Sequence, residues 1–411
     1  YQNGDYVTFS NATAVGGLTL NGEFVVSLSV TTAANSYTIT AASNASSSAT
    51  GGGTVSAAYQ INVGNPFAVP IEGWGASSWG SGAWNVGESS TTEIRFFSQS
   101  NFGEDLIFGN NGGSIFYWDA TGSVTTRAVL LSTLSGASDV PAIQNLILVS
   151  DISRFVFCFG TNPIGSNTID PTLLRWSDQE DATNWTPSAT NQAGSLRLSR
   201  GTKIVAASQA RQEVLVWTDS SLYSLQYVGA PAVWAATLVG ENISISSQNA
   251  VAYANGVAYW MGKDKFYMYD GRTQPLKCDV RKYIFNDFNT SQYSQVFSGT
   301  NESFHEVWWF YCSDGETNID KYVIYNYLDK IWYYGTLART AWLDSGLRDS
   351  PLAATYTLNL VDHENGVDDN QTTSTAAIAA FIIIDESLTL SKRFAVALVV
   401  IALSLIHISE P

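Results

Sequence analysis

The chain has 411 residues, of which 36 are acidic and 20 basic, and its formal net charge is −16. Its apolar content of 45% excludes a disordered chain, and the shortage of Lys and Arg argues against a protein that grips nucleic acid through a basic face. With 13 Trp, 20 Tyr and 19 Phe, it has the side chains for a large core of two or three domains or of one repetitive domain.

The three cysteines, Cys158, Cys278 and Cys312, lie far apart and show no metal-ligand spacing. We therefore predict small buried thiols from a reducing compartment, and no metal or other cofactor.

Residues 1–65 predict a small all-β module, because short β-rich runs alternate with Gly, Asn and Ser clusters. The predicted strands are Tyr6–Phe9, Glu23–Val30, Ser36–Thr40 and Thr54–Ile61. Their order resembles the small β-barrel inserts of bacteriophage structural proteins.

Residues 66–92 predict a connector rich in Gly and Trp, in which Trp74, Trp79 and Trp84 recur every five residues. Such rings could form a stacking platform for carbohydrate or, as is more usual for Trp, pack within a connector.

Residues 93–362 repeat one pattern of an apolar strand, a polar turn, a second strand ending in aromatics, and a loop rich in Gly or Pro. It occurs at Asp105–Trp118, Arg154–Trp176, Val214–Val228, Val257–Tyr269 and Val307–Tyr325. The second strands are separated by roughly 45 to 60 residues, which favours an all-β fold with a β-propeller over a two-sheet sandwich. The best helix candidate is Lys282–Phe288.

The sequence gives weak support to an enzyme. The two credible histidines, His305 and His363, stand in no catalytic pattern, and no nucleophile elbow, zinc-protease motif or phosphate-binding loop is present. We assign no catalytic, cofactor-binding or metal-binding residue.

Two acidic stretches have alternative interpretations. Ser177–Trp185 contains Asp178, Glu180 and Asp181 and resembles the Ser/Asp/Trp turns of sialidase-like propellers, which stabilise the fold. Asp362–Asp369 could bind Ca²⁺ through carboxylates, but it lacks EF-hand spacing and is more typical of a solvated turn.

The carboxyl end is unusual. Residues 363–402 predict a return segment altered by a frameshift, and the apolar run Phe394–Ile406 is too short to span a bilayer as a helix. Leu403–Pro411 resembles the translation of a sequencing adapter. Because the chain also begins with Tyr and shows no signal peptide, we expect a metagenomic fragment of a longer protein.

Several ordered segments together resemble the tail hub or nozzle proteins of short-tailed bacteriophages, related to packaged-DNA stabilisation proteins. They are Leu173–Pro187, Asn191–Leu198, Val214–Gly229, Val257–Gly271, His305–Tyr311, Leu337–Trp342 and Asp362–Asp369, within a similarity from Arg95 to Asp369.

This resemblance implies a virion structural subunit, made in the bacterial host cytoplasm, that forms a hexameric ring in the tail. Its implied partners are further copies of itself, the portal or adaptor, and tail needle or fibre proteins. DNA would pass through the channel without sequence-specific binding, which an acidic wall favours.

Two alternatives remain open. A glycan-binding or glycan-cleaving propeller would use the Trp series and the acidic turn in an open cleft, whereas a hub subunit would bury Trp308, Trp309 and Trp332 in sheets and subunit contacts. A secreted bacterial propeller serving as an adhesion scaffold is a third interpretation.

Overall fold

The computed structural model describes residues 5–27, 36–60, 67–68, 94–123, 126–150, 153–345 and 350–364. Regular structure in these ranges is almost entirely β-strand, which confirms the all-β class. The chain divides into two compact units, residues 1–65 with 79–94 and residues 66–78 with 95–411.

The first unit contains a three-stranded antiparallel sheet of β1 (Tyr6–Ser10), β2 (Gly22–Val25) and β3 (Ser56–Gln60), with β1 in the centre. The predicted strand at 36–40 is reduced to one bridge, in which Thr38 and Ser27 exchange backbone hydrogen bonds of 2.8 and 2.9 Å. The module is therefore all-β, but with one regular strand fewer in its described part than the sequence predicts.

The second unit contains six antiparallel sheets, each a meander in which strands pair in chain order. Five have four strands and the last has three. In chain order the sheets are: sheet 1, β4 (Phe97–Phe102), β5 (Asp105–Asn110), β6 (Phe116–Trp118) and β7 (Val129–Leu130); sheet 2, β8 (Leu146–Val149), β9 (Val156–Thr161), β10 (Asp170–Trp176) and β11 (Gly194–Arg197); sheet 3, β12 (Ile204–Gln209), β13 (Val214–Thr218), β14 (Ser221–Gly229) and β15 (Val233–Glu241); sheet 4, β16 (Val251–Ala254), β17 (Val257–Met261), β18 (Phe266–Tyr269) and β19 (Thr273–Leu276); sheet 5, β20 (Phe297–Asn301), β21 (Glu306–Tyr311), β22 (Lys321–Asn326) and β23 (Ile331–Thr336); sheet 6, β24 (Ala341–Leu343), β25 (Leu352–Ala354) and β26 (Leu360–Asp362).

The six sheets are arranged as blades. The first strand of each sheet lies beside the first strand of the next, from β4 through β8, β12, β16 and β20 to β24. A series of such meanders, joined through their first strands, is the architecture of a β-propeller, which confirms the predicted fold.

The predicted hairpins are the two middle strands of sheets 1 to 5. For example, the hairpin predicted within Val214–Val228 is β13 with β14, paired from Val214 opposite Leu225 to Trp217 opposite Leu222. The first and last strands of each sheet were not predicted, nor was sheet 6. Middle strands are easier to recognise because they are buried on both faces and therefore read as apolar runs.

The core lies between neighbouring sheets. On one face of β9, Phe157 and Phe159 pack towards sheet 3, with the Phe157 ring 4.9 Å from that of Trp234. On the other face, Val156 and Cys158 pack in the cluster that includes Ile107 of sheet 1. One strand thus contributes to two interfaces.

Sheet 5 repeats this division with two consecutive tryptophans. Trp309 faces sheet 4, where its ring lies 5.0 Å from that of Phe266 and its indole N–H donates to the Ala250 carbonyl at 3.0 Å. Trp308 faces sheet 6, with its ring 5.3 Å from that of Trp342. Because successive side chains point to opposite faces of β21, this strand joins sheet 5 to both sheet 4 and sheet 6.

Helices are short in the described ranges. The α-helix α1 (Arg281–Asn286) confirms the predicted helix at Lys282–Phe288 in position, and 3₁₀ turns occupy Leu131–Thr133, Thr290–Gln295 and Glu302–Phe304. Within these described segments, no helix combines the length and apolar character that crossing a bilayer requires.

We expect Gly299→Ala to destabilise the propeller by about 1–3 kcal/mol, because a methyl group there would be 2.1 Å from a Trp342 ring atom between sheets 5 and 6. Urea unfolding monitored by tryptophan fluorescence would measure this loss. Gly122→Ala is the matched control, since the added carbon would meet only ordinary contacts of 3.5 Å or more. Equal unfolding midpoints for both variants would contradict the close packing at Gly299.

Candidate functional site

The acidic turn that follows β10 borders a shallow, polar depression. Asp178 accepts hydrogen bonds from the backbone N–H groups of Gln179 at 2.9 Å and Gln192 at 2.8 Å. Asp181 accepts from the backbone N–H and the hydroxyl of Thr183, at 2.8 and 2.6 Å. Both carboxylates therefore hold the turn in shape, as carboxylates commonly do in such loops.

The tryptophan of this turn is not available to a ligand. Trp185 is fully buried, and its indole N–H donates to the Ala182 carbonyl at 2.8 Å. Its backbone N–H donates to Ser138 at 3.0 Å, which ties the turn to the preceding segment. These bonds agree with the predicted role of the turn in stabilising the fold.

A shallow depression of about 460 Å³ opens beside the turn. It is lined by Asp178, Gln179, Glu180, Thr190, Asn191 and Gln192. Glu180 is exposed and has a left-handed backbone, with φ of 59°. The lining could exchange hydrogen bonds with a hydroxylated ligand, but it presents no aromatic ring for stacking.

Arg175 is a buried charge that the sequence analysis did not single out. Its side chain is 1% exposed and donates to the backbone carbonyls of Asp139 at 2.6 Å and Asn162 at 3.3 Å. Burial lowers the pKa of its guanidinium. Arg175 also lies 6.0 Å from the centre of the ring of Trp185, on the acidic turn.

The two histidines occupy structural positions. His305 has a left-handed backbone with φ of 59° just before β21, and its Nδ1 is 3.4 Å from the Tyr327 hydroxyl. The His363 ring lies 4.5 Å from that of Trp342, and its Nε2 accepts from Arg339 at 3.0 Å. Neither contact involves a Ser, Thr or Cys nucleophile.

A pair of carboxylates lies near the junction of sheets 5 and 6. Burial raises the pKa of Glu306 and the charge of Glu364 adds to the rise, whereas the hydrogen bond that Trp308 Nε1 donates at 3.0 Å opposes it. Glu364 in turn accepts from the Asn301 amide at 3.3 Å. The charge of the exposed Glu364 thus acts on a half-buried Glu306.

The candidate calcium stretch is described only as far as Glu364, and Asp362 is the last residue of β26. Trp74, Trp79 and Trp84 lie outside the described residues. In the parts of the chain that the structure describes, no group of three or more His, Cys, Asp or Glu side chains is placed to hold a metal ion.

The tryptophans named for the hub interpretation do not line an open cleft. Trp308 is 7% exposed, Trp309 is fully buried and Trp332 is half-buried. Trp332 packs 4.7 Å from Phe266 of sheet 4 and donates its indole N–H to the Lys277 carbonyl at 2.9 Å. These rings therefore join sheets within the propeller.

No family model matches the chain, and no curated protein does. Among solved structures, it is similar to Hsv2 from Kluyveromyces marxianus, with a TM-score of 0.39, 8% identity, and coverage of 68% of this chain and 75% of that one. The extracellular domain of BT4673 from B. thetaiotaomicron gives a TM-score of 0.41 and 12% identity, with coverage of 66% of this chain and 32% of that one. The AfRom2 CNH domain gives a TM-score of 0.38 and 12% identity, with coverage of 64% of this chain and 79% of that one. Similarities this low say nothing about function.

We expect Asp178→Ala to lower the free energy of unfolding by about 1–2 kcal/mol, because two backbone N–H groups lose their acceptor. Urea titration would measure the change. Glu180→Gln keeps the size of an exposed side chain in the same loop and should leave stability within about 0.5 kcal/mol of the original. A larger effect of Glu180→Gln than of Asp178→Ala would refute the structural assignment.

We expect Glu306→Gln to stabilise the protein at pH values above the raised folded-state pKa of Glu306 and to have little effect below the unfolded-state pKa. Because the folded-state pKa is raised, the folded protein binds more protons than the unfolded chain, and stability falls as pH rises from the unfolded pKa through the folded pKa. Denaturation at a series of pH values would test this. The exposed Glu302→Gln is the control, and an unchanged pH slope in Glu306→Gln would contradict the assignment.

Proposed function

We propose that this propeller protein is a subunit of the tail hub or nozzle of a short-tailed bacteriophage, where a ring of copies forms the conduit that retains and then releases packaged DNA. The observation that carries the proposal is the order of the segments that resemble this family. They fall, in chain order, on successive sheets of one propeller.

The correspondence runs from sheet 2 to sheet 6. Leu173–Pro187 holds most of β10 and its acidic turn, and Asn191–Leu198 holds β11. The later segments contain β13 with β14, then β17 with β18, then β21, and finally the start of β24. A resemblance confined to one turn could arise from local structure alone, whereas one spread in order over five sheets favours a shared whole-domain ancestry.

The charge of the chain supports a role in which DNA passes without being held. A net charge of −16 opposes binding to phosphates, because affinity for DNA rests on Lys and Arg contacts.

In this role the protein would lie in the virion tail after synthesis in the host cytoplasm. Its contacts would be with further copies of itself, with the portal or adaptor, and with tail needle or fibre proteins. Its function would be mechanical rather than catalytic, which accords with acidic side chains that serve turns and with tryptophans that join sheets.

One observation favours the alternative of a glycan-binding or glycan-cleaving propeller. The depression beside the acidic turn is polar and open, and it contains the carboxylates of Asp178 and Glu180. A sugar hydroxyl could bind there. We place this second because the turn lacks an accessible aromatic ring and Asp178 already accepts two backbone hydrogen bonds.

The test is to express the full reading frame and image it by negative-stain electron microscopy, with and without a panel of glycans. We expect rings of about six subunits with an open axial channel. We also expect no retention of duplex DNA at low salt, where electrostatic binding would be strongest. A basic DNA-binding domain, tested with the same duplex, would serve as the positive control for retention.

Monomers that bind or trim a glycan, with the response lost in Glu180→Gln, would overturn the conduit proposal in favour of the alternative. Rings that hold duplex DNA tightly at low salt would contradict the idea that the wall lets DNA slide.

A further inference from the structure

The last strand of each sheet is an outer edge, since it has one strand neighbour in the described structure. Exposed edges invite pairing with another chain, and proteins usually protect them by shortness, charge or proline. Four of the six outer edges are protected in this way. β7 has two residues, β11 has four and ends in Arg197, β19 contains Pro275, and β26 has three and ends in Asp362.

The other two edges lack this protection. β23 has six residues, Ile331–Thr336, with neither charge nor proline. β15 has nine residues, Val233–Glu241, and its one charge is at the end. These unprotected edges belong to sheets 5 and 3, so a single sheet separates them.

The β23 edge is strongly aromatic. Ile331, Tyr333 and Tyr334 are 47%, 44% and 50% exposed, and the Tyr334 ring lies 4.6 Å from that of Tyr283 on α1, which is itself half exposed. Tyrosine is enriched in the buried centres of protein interfaces. The surface is therefore suited to a protein partner.

Exposed apolar side chains lie near both ends of β15. Leu238, in its second half, is 37% exposed. Beside its start, where Tyr227 of the neighbouring strand β14 pairs with Trp234, Tyr227 and Val228 are 44% and 54% exposed. Both unprotected edges thus expose large apolar side chains, and they lie at different places on one chain.

Charge distinguishes the two edges. Four exposed basic residues, Lys277, Arg281, Lys282 and Lys330, lie on segments next to β23; Lys277 is paired with Asp279 at 3.4 Å, and Asp329 precedes Lys330. β15 ends instead in the exposed Glu241, which lies 3.5 Å from the Arg200 guanidinium. In a chain of net charge −16, the partner that best complements a basic and aromatic edge is an acidic one, and a second copy is acidic.

We propose that β23 of one copy docks against β15 of the next copy, as the repeated contact of a closed ring. Two different edges that meet head to tail make a heterologous contact, which generates a ring if the rotation closes. The inference rests on the proposed function for the ring itself and adds which surfaces form it.

In a closed propeller of six evenly spaced blades, the positions of the edges would agree with a ring of about six. When six blades are evenly spaced, edges two sheets apart are separated by about 120° around the propeller axis. If the propeller axis is parallel to the axis of the ring, each subunit of a six-membered ring needs its two contacts about 120° apart.

The first experiment places a charge on each edge of the full chain. We expect Tyr333→Lys and Leu238→Lys each to convert rings into smaller species in sedimentation velocity. The apparent dissociation constant of the ring should rise at least tenfold over that of the unaltered chain. Ile164→Lys is the matched control, since Ile164 is 44% exposed in the loop between β9 and β10, and it should keep the ring. Circular dichroism melting would verify that each variant is folded.

The second experiment does not depend on disrupting assembly. Two differently tagged chains, one Leu238→Cys and the other Tyr333→Cys, both in a Cys278→Ser background, are mixed and treated with a short bis-maleimide. We expect cross-links between the two chains in the mixture and none in either chain alone. Cys158 and Cys312 are buried and should not react.

The outcomes separate the two proposals. Rings that persist in both lysine variants, or cross-links within either single-cysteine population, would overturn the edge contact while leaving the ring intact. Monomers from the unaltered full chain at every concentration would overturn the ring itself and the contact with it.

Discussion

The propeller depends on burying both faces of its middle strands. β9 and β21 show how this works, because successive side chains on each strand enter different interfaces between sheets. Burial of apolar surface is the dominant favourable contribution to folding, and a sheet with two apolar faces cannot bury them alone. Each blade is therefore stable only between neighbours, and the aromatic rings supply both area and shape.

Indole groups fix the relative positions of the sheets as well as filling space. Trp309 donates from sheet 5 to sheet 4, and Trp342 donates from sheet 6 to the Thr300 carbonyl of sheet 5 at 3.1 Å. A buried indole N–H needs an acceptor, so these bonds select one arrangement among the many that would bury similar area. The close approach of Gly299 to Trp342 belongs to the same arrangement.

The sequence predicted the strands that are buried on both faces, and it predicted the other strands less well. The middle hairpins could be predicted because Val214–Thr218 and its counterparts are continuous apolar runs with a short turn. The outer strand Gly194–Arg197 could not, since four mixed residues with alternating exposure carry no distinctive pattern. Sheet 6 was missed for the same reason, its strands being three residues each.

The acidic turn illustrates a different limit. Its composition alone allowed either glycan chemistry or turn formation, and only the hydrogen bonds of Asp178 and Asp181 distinguish the two uses. Trp185, the tryptophan of this turn, is part of the core. The residue types predicted that this segment has a distinct role. The hydrogen-bond partners of its side chains show what that role is.

The outer edges connect the internal packing with assembly. Shortness, proline or charge closes four edges to other chains, whereas β15 and β23 keep long, almost uncharged strands at the surface. Because β11 and β26 each carry a charge at the end of the strand, the scarcity of such protection on these two longer strands requires a reason. A repeated contact between copies supplies that reason, because a strand buried by a neighbour no longer needs protection from other chains.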